Sequence, residues 1–402
     1  MLIVQKFGGS SVANAERVVN VAKRIADTYK QGNEVVVVLS AQGDTTDDLI
    51  AKAKEISPSP NKRELDMLLS TGEQQSVALM CMALGELGYP CVSLNAQQVG
   101  MITTSVYGNA RLKKIKSDRI RRELDLKNIV VVTGFQGINR FDDMTTLGRG
   151  GSDTTAVAIA AALHADCCEI YTDVDGIYTA DPRIVKHARK LSEITYDEML
   201  ELASLGAKVL HNRSVEMAKK YNVELVVRSS LTHAEGTVVK EVCKVERMLI
   251  SGVAGDDEIA RVSLIGIDDT PGKAFDIFAT LAKKGINVDI IVQSIGREKT
   301  KDISFTIAEN ELADTRAVIE AHVERWGVEK VDYNENLAKV SIVGAGMTSN
   351  PGIAAKMFEA MFSSNINIHM ISTSEIKVSI LIDKKDMHKA INAIHDIFNL
   401  EE

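Results

Sequence analysis

The sequence predicts an α/β protein: an αβα sandwich around a mostly parallel sheet, followed by two ferredoxin-like domains. Three observations carry that expectation. First, the strand-like segments Val35 to Leu39, Ile129 to Val132, Ile170-Tyr171 and Leu225 to Val227 are continuous apolar runs, the pattern of strands buried on both faces. Second, helical segments alternate with them. Val18, Val21, Ala22, Ile25, Ala26 and Tyr29 recur at helical spacing and Gly32 supplies the stop, which makes βαβ units of a parallel sheet. Third, the chain after about residue 240 contains a weak duplication.

The first copy runs Val262 to Gly266, Pro271-Gly272, a helical stripe through Ala274, Ile277, Phe278 and Leu281, then Ile286-Asn287-Val288. Its counterpart runs Val340 to Gly344, Pro351-Gly352, then Met357, Phe358 and Met361, then Ile366-Asn367-Ile368. Two further strands and a second helix follow in each, as in Asp302 to Ile307 and Lys377 to Ile382, giving the order β-α-β-β-α-β. Each copy leaves a sheet edge open, so edge-to-edge pairing within or between chains is expected.

A chain of 402 residues, 45% hydrophobic, exceeds one ordinary core and is expected to form two or three domains. A formal net charge of −8 with scattered Lys and Arg argues against nucleic acid, which calls for a continuous basic face. The five cysteines show no CxxC spacing and read as thiols of a reducing compartment. No basic leader segment or membrane-length apolar run is evident, so a cytoplasmic protein without membrane contact is expected. The histidines, His187 among them, are far apart in sequence and suggest no metal site.

Function is expected at two glycine-rich loops. Lys6 ends an apolar run directly before Gly8-Gly9-Ser10, so a cation stands beside exposed backbone amides. The second loop, Gly148 to Thr154, opens a helix and offers unpaired N–H groups to an anion. Neither is a Walker A or GxGxxG motif, and either alone could be a tight turn; together they favour phosphate. A third segment, Thr172 to Arg183, follows a strand and therefore lies at a carboxyl sheet edge, where open α/β sheets bind ligands, although Asp-Gly and Asp-Pro are also ordinary turn dipeptides. Ser40, just past the Val35 to Leu39 strand, either approaches a substrate or caps the strand end. Glu73 alone reads as a helix-start acid.

The segments KFGGSS, Leu68 to Glu73, TTLGRGGSDT and TDVDGIYTADPR, together with the tandem repeat, resemble the aspartokinase family of the amino-acid kinase superfamily across essentially the whole chain. One departure is Asn212, where many relatives carry proline. The resemblance implies a catalytic domain over 1–240 and a regulatory region over 241–402 with ACT domains at about 260–335 and 336–402. It implies ATP-dependent phosphorylation, with Mg²⁺, of the side-chain carboxylate of L-aspartate, the opening step toward lysine, threonine and methionine.

By the same resemblance, Lys6 and Asp153 would be catalytic. Lys6, Gly8, Gly9, Ser10, Thr172, Asp173, Tyr178, Arg183 and Lys208 would bind ATP. Ser40, Thr46, Glu73, Arg149, Gly150, Gly151 and Ser152 would form the aspartate pocket, with Glu73 on the ammonium and Arg149 on a carboxylate. Lysine or threonine, or both, would inhibit through Asp269, Ala274, Asn287 and Gln293 in the first copy and Ile353, Ala354, Asn367, Ile368, Ser374 and Glu375 in the second. A homo-oligomer, or an α2β2 assembly with a subunit started internally near Met248, would result. A different carboxylate or carbamate kinase of the superfamily would share the glycine loops but not the paired ACT repeat. A vestigial sensor would have lost Lys6, Glu73, Arg149 or Asp153; all four are present.

Overall fold

Valine runs with no polar face can only be satisfied between two layers of helix, and the first sheet is built that way. The structure is a computed structural model describing residues 1–205, 209–242, 250–295, 300–348 and 350–401. It contains two compact units. Among the described residues the first comprises 1–178, 190–204 and 209–242, and the second comprises 179–189, Leu205 and 250–401.

The first unit begins with β1 (Leu2–Phe7), α1 (Ala15–Lys30) and β2 (Glu34–Leu39). Two helices, α2 (Thr45–Ile56) and α3 (Lys62–Glu86), lead to β3 (Cys91–Leu94), β4 (Met101–Thr103), β5 (Leu112–Ile115), α4 (Asp118–Asp125) and β6 (Ile129–Thr133). Next come β7 (Gln136–Ile138), β8 (Met144–Thr146), α5 (Gly151–Leu163), β9 (Cys167–Thr172), β10 (Glu193–Thr195), α6 (Tyr196–Ser204), α7 (Asn212–Tyr221), β11 (Leu225–Ser229) and β12 (Thr237–Lys240).

Eight strands lie in the order β10-β12-β11-β9-β1-β2-β6-β3. β1 runs parallel to both β2 and β9, and the antiparallel pair is β11 with β12. Val35, Val37 and Leu39 pack with Val18, Val21 and Ile25 of α1 and with Val77 and Met80 of α3. Val36 and Val38 are equally buried and, by the alternation of the pleat, face the other side, where α5 lies against β1, β2 and β9. The alanines of α5 permit that close approach. A smaller four-stranded sheet, β5-β4-β7-β8, carries the chain toward Gly148.

The second unit contains β13 (Gly252–Asp268), α8 (Lys273–Lys283), β14 (Ile291–Ile295), β15 (Thr300–Ala308), α9 (Leu312–Glu320), α10 (Val323–Trp326), β16 (Lys330–Val343), α11 (Ile353–Ser363), β17 (Met370–Thr373), β18 (Lys377–Asp383) and α12 (Met387–Ile397). Its six strands form one sheet, β14-β15-β13-β16-β18-β17. The duplication is visible in the backbone itself: Gly272 and Gly352, the N-caps of α8 and α11, adopt φ of 97° and 98°.

The first copy closes in the expected β-α-β-β-α-β order, and the second does not. In the first, β16 supplies the last strand by pairing its Lys330–Asn334 segment with Arg261–Ile265. After α12 no strand follows among the described residues. Instead Gly252–Asp256, from upstream of the first copy, pairs antiparallel with Lys339–Val343 and fills the fourth place. The copies therefore join through the long central strands β13 and β16, because each has an unmet edge that the other's strand extends to cover, and β14 and β17 remain the outer edges. Ile286-Asn287-Val288 and Ile366-Asn367-Ile368 precede β14 and β17 rather than forming them. Ala274, placed on the apolar stripe by its spacing, is exposed in the first turn of α8.

Candidate active site

Carboxyl ends of parallel strands gather at one edge, and there β1, β2 and β6 deliver Lys6, Ser40 and Gly134 to a common cleft of about 300 Å³ or its wall. Lys6 Nζ sits 2.6 Å from Asp153 Oδ1, with both side chains largely buried. Asp153 is in the first turn of α5, where the helix dipole favours a carboxylate. The preceding loop needs its glycines: Gly148 and Gly150 have φ of 76° and 70°, and a Cβ on Gly150 would lie 2.2 Å from His211 Cγ. Gly151 N–H donates to Gly148 O, which leaves the amides of Ser152 and Asp153 as first-turn donors without a helical acceptor.

The loop after β1 is held against the loop after β2. Gly43 N–H donates to Gly9 O at 3.1 Å, and a Cβ on Gly9 would lie 2.6 Å from Ala41 O. Gly8 and Gly9 thus line the cleft beside Lys6. Ser40 Oγ donates to Ser152 Oγ at 2.9 Å, joining the two loops, and Thr46 and Gly151 complete that side.

Glu73 lies in the middle of α3, not at a helix start, and is buried. Ala41 N–H donates to its Oε1 at 3.2 Å, whereas Oε2 has no hydrogen-bond partner. Burial pushes its carboxyl up to about 7. Arg149 stands exposed between the two positive-φ glycines, lines the same cleft and has no ion-pair partner among the described residues. A buried carboxylate oxygen and a free guanidinium across one cleft can take opposite ends of a zwitterion.

Other expected site residues lie apart from this cleft. Ser10 is exposed, and its carbonyl accepts from the Arg17 guanidinium. At the end of β9, Thr172 Oγ1 donates to Asp173 Oδ1 at 2.9 Å; Tyr178 Oη donates to Asp175 Oδ1 at 2.8 Å, and Lys190 Nζ donates to Asp175 Oδ2 at 3.2 Å. Arg183 belongs to the second unit, where it makes a two-pronged contact with Asp181, Nε to Oδ1 at 3.0 Å and Nη2 to Oδ2 at 2.6 Å. Lys208 and Met248 lie outside the described residues.

In the second unit Asp269 pairs with Lys301 at 2.6 Å, Asn287 N–H donates to Glu311 at 3.3 Å, and Gln293 is exposed on edge strand β14. Ile353 is buried at the start of α11, with Ala354 half-buried beside it. Asn367 is exposed, Ile368 is half-buried, and Ser374 and Glu375 form the turn after β17.

Several residues escaped the sequence reading. Buried Asp66 of α3 accepts from Gly108 N–H, Thr146 N–H and Thr146 Oγ1, all within 3.1 Å, and ties down β8 and the segment ahead of Gly148. Arg213 of α7 donates to Leu147 O at 2.6 Å and Ala110 O at 3.1 Å from the other side. Phe135, at φ 66°, lines the cleft, and a Cβ on Gly134 would lie 2.6 Å from Ser152 Oγ. The strand-then-glycine pattern of Thr133-Gly134 was the available signal.

Residues 1–229 match the amino acid kinase family, and 262–323 and 340–398 match the ACT domain. An aspartokinase of Bacillus sp. (strain MGA3) is 52% identical over 400 residues, covering 99% of this chain and 97% of the relative. Among solved structures, E. coli aspartokinase III in complex with aspartate and ADP superposes with a TM-score of 0.85 at 25% identity, covering 99% of both chains. The same enzyme in complex with lysine and aspartate gives 0.78 at 27%, covering 100% of both. Full-length identity of this degree, on a kinase domain followed by tandem ACT domains, means that the chain belongs to the aspartokinase family and is an aspartate kinase.

Proposed function

We propose that the chain transfers the γ-phosphoryl group of ATP to the side-chain carboxylate of L-aspartate, giving 4-phospho-L-aspartate, as the opening step toward lysine, threonine and methionine. The observation that supports this reading best is the unpartnered Oε2 of buried Glu73 in one cleft with unpaired Arg149 and the Lys6–Asp153 pair. Glu73 takes the substrate ammonium and Arg149 a carboxylate, leaving the second carboxylate toward Lys6. That carboxylate is ionised at neutral pH and calls for no strong base, so the task is to offset anion repulsion. Asp153 aims Lys6; Lys6 and the amides of Gly8, Gly9, Ser152 and Asp153 meet the developing charge, with Ser10 as a further donor in the loop.

Thr172, Asp173, Tyr178, Arg183 and Lys208 are assigned to the nucleotide side. The donor set fits Mg²⁺ held by phosphate oxygens and water rather than by protein carboxylates, because those facing the cleft are engaged by Lys6 and by Ala41 N–H. When bound, the ion neutralises phosphate charge.

The catalytic domain is taken as 1–240 and the regulatory region as 241–402, with ACT domains at about 260–335 and 336–402. Lysine or threonine, or both, bind at the ACT residues named above and favour a state with misaligned catalytic loops. The protein works in the cytoplasm as a homo-oligomer or as α2β2 with an internally started subunit. No helix among the described residues is long and apolar enough to cross a membrane.

A hydroxylamine trap for acyl phosphate, run with ATP, Mg²⁺ and a panel of acidic amino acids, tests the activity: aspartate gives the dominant signal, and a dominant glutamate signal refutes it. Titration with lysine and threonine, singly and together, tests inhibition; unchanged activity at every concentration removes it.

A further inference from the structure

The segment Thr179–Arg189 carries a second constellation. It interrupts the first unit in sequence yet packs within the second, where Ala180 and Val185 share a core with Ile391 and Ile394 of α12. At the end of that contact His187 meets His395 and Asp396. One ring nitrogen from each histidine and a carboxylate oxygen of Asp396 all lie within 4.8 Å of one another. We propose that His187, His395 and Asp396 form a binding site for a divalent transition-metal ion of the zinc class, which clips the Thr179–Arg189 segment to the C-terminal helix.

The geometry suits such an ion. His187 Nε2 and Asp396 Oδ1 are 3.1 Å apart, against about 3.3 Å for two donors around a tetrahedral zinc. The imidazole centroids are 5.1 Å apart with planes at 74°, against about 5 Å for two rings sharing such an ion. Glu401 Oε2, at 3.9 Å from His187 Nε2, supplies a fourth ligand after a small side-chain adjustment.

The second observation is a polar atom without a partner. His395 is fully buried; its Nε2 meets Thr179 Oγ1 at 3.0 Å, and its Nδ1 has no hydrogen-bond partner. Thr179 Oγ1 also accepts from Arg189 N–H at 2.9 Å, so it is fixed in place and orients the ring from behind. With Nε2–H donated to Thr179, Nδ1 keeps the lone pair a metal requires, the arrangement in which an outer hydrogen bond sets the tautomer of a metal-bound histidine. An unpaired buried nitrogen is otherwise costly. Two imidazoles with carboxylates select zinc, cobalt, nickel or copper over magnesium and calcium, which prefer all-oxygen sites. Sequence spacing hid the cluster, because 208 positions separate the two histidines.

Full-length protein freed of metal by a chelator and titrated with Zn²⁺ against a chromogenic competitor tests the site. Wild type binds one Zn²⁺ per chain at this site and its melting temperature rises by several degrees on addition of the ion. His187→Ala and Asp396→Ala, both at exposed positions, weaken binding at least tenfold and lose the melting shift, while His233→Ala, at an exposed histidine of the first unit outside the cluster, leaves binding as in wild type. Zn²⁺ bound equally well by wild type and His187→Ala, as thiol binding elsewhere would give, overturns the proposal, as does the absence of binding to wild type.

Discussion

Protonation of Glu73 sets the pH dependence of aspartate recognition. With its carboxyl pushed up to about 7 by burial, the side chain is roughly nine-tenths ionised at pH 8 and one-tenth at pH 6. Only the ionised form holds the substrate ammonium, so KM for aspartate rises about tenfold from pH 8 to pH 6, while kcat at saturating aspartate changes less. Glu73→Gln removes a hydrogen bond between charged groups, about 1.5 to 3 kcal/mol, which raises KM at pH 8 by roughly 10- to 150-fold and flattens its pH dependence. Initial rates in a coupled ADP assay across pH 6 to 8 measure both. A Glu73→Gln enzyme with wild-type KM, or with the wild-type pH slope, refutes the reasoning.

The same shift predicts a change in stability whose sign is opposite to that of a salt-bridged acid. Folding raises the Glu73 pKa from 4.5 to about 7, so the folded state binds the proton more tightly. The stabilisation is complete below pH 4.5 and is lost as pH climbs through 7, by about 3 kcal/mol. Without substrate, Glu73→Gln therefore melts several degrees above wild type at pH 8 but not at pH 4. Saturating aspartate raises the wild-type melting temperature much more than that of the variant. Equal melting of the two apo proteins at pH 8 counts against the burial argument.

Lys6→Ala lowers kcat about 10²- to 10³-fold, as expected for removing one donor to the transition-state charge, with KM for aspartate changed far less; normal turnover would overturn the catalytic assignment. Gly150→Ala combines φ 70° with a 2.2 Å approach to His211 and displaces the α5 loop, so turnover falls about 10²-fold with unchanged circular dichroism. Asp66→Ala strips the acceptor from three donors and destabilises the first unit by about 3 kcal/mol, read as a lower first thermal transition.

The sequence revealed whatever is encoded locally. Burial on both faces is written in the valines of β2, and the demand for positive φ is written in Gly148 and Gly150, so the central parallel strands and the glycine loops were legible, whereas the second strand of each repeat and the place of Glu73 in its helix were not. Lys6, Gly8, Gly9, Ser40, Thr46, Glu73 and Arg149 through Asp153 line one cleft, although Thr46 and Glu73 were placed there by the family resemblance and not by their own sequence surroundings. Contacts across long separations were not legible. Asp66 reaches Thr146 across 80 positions and Arg213 reaches Ala110 across 103, and nothing near either residue in sequence marks its partner. The fourth strand of the second repeat escaped for a related reason: it precedes the first repeat in the chain, and strand order in a sheet is indifferent to order in sequence.

Charge placement explains why the cleft can receive two anions in turn. Lys6 and Asp153 neutralise each other, Glu73 is about half protonated at pH 7, and Arg149 has no ion-pair partner among the described residues. Aspartate arrives with a net charge of about −1. In the proposed binding mode its ammonium draws Glu73 into the ionised form while Arg149 pairs with one carboxylate, which leaves the other carboxylate unpaired and nucleophilic. In the same mode the polyphosphate meets backbone amides, whose dipoles were oriented when the loops folded and reorganise little during transfer. Lys6 can lean toward the transferring group because Asp153 compensates it in the meantime. A lysine without that partner would be a half-buried charge seeking any anion, and aspartate in the wrong orientation would supply one.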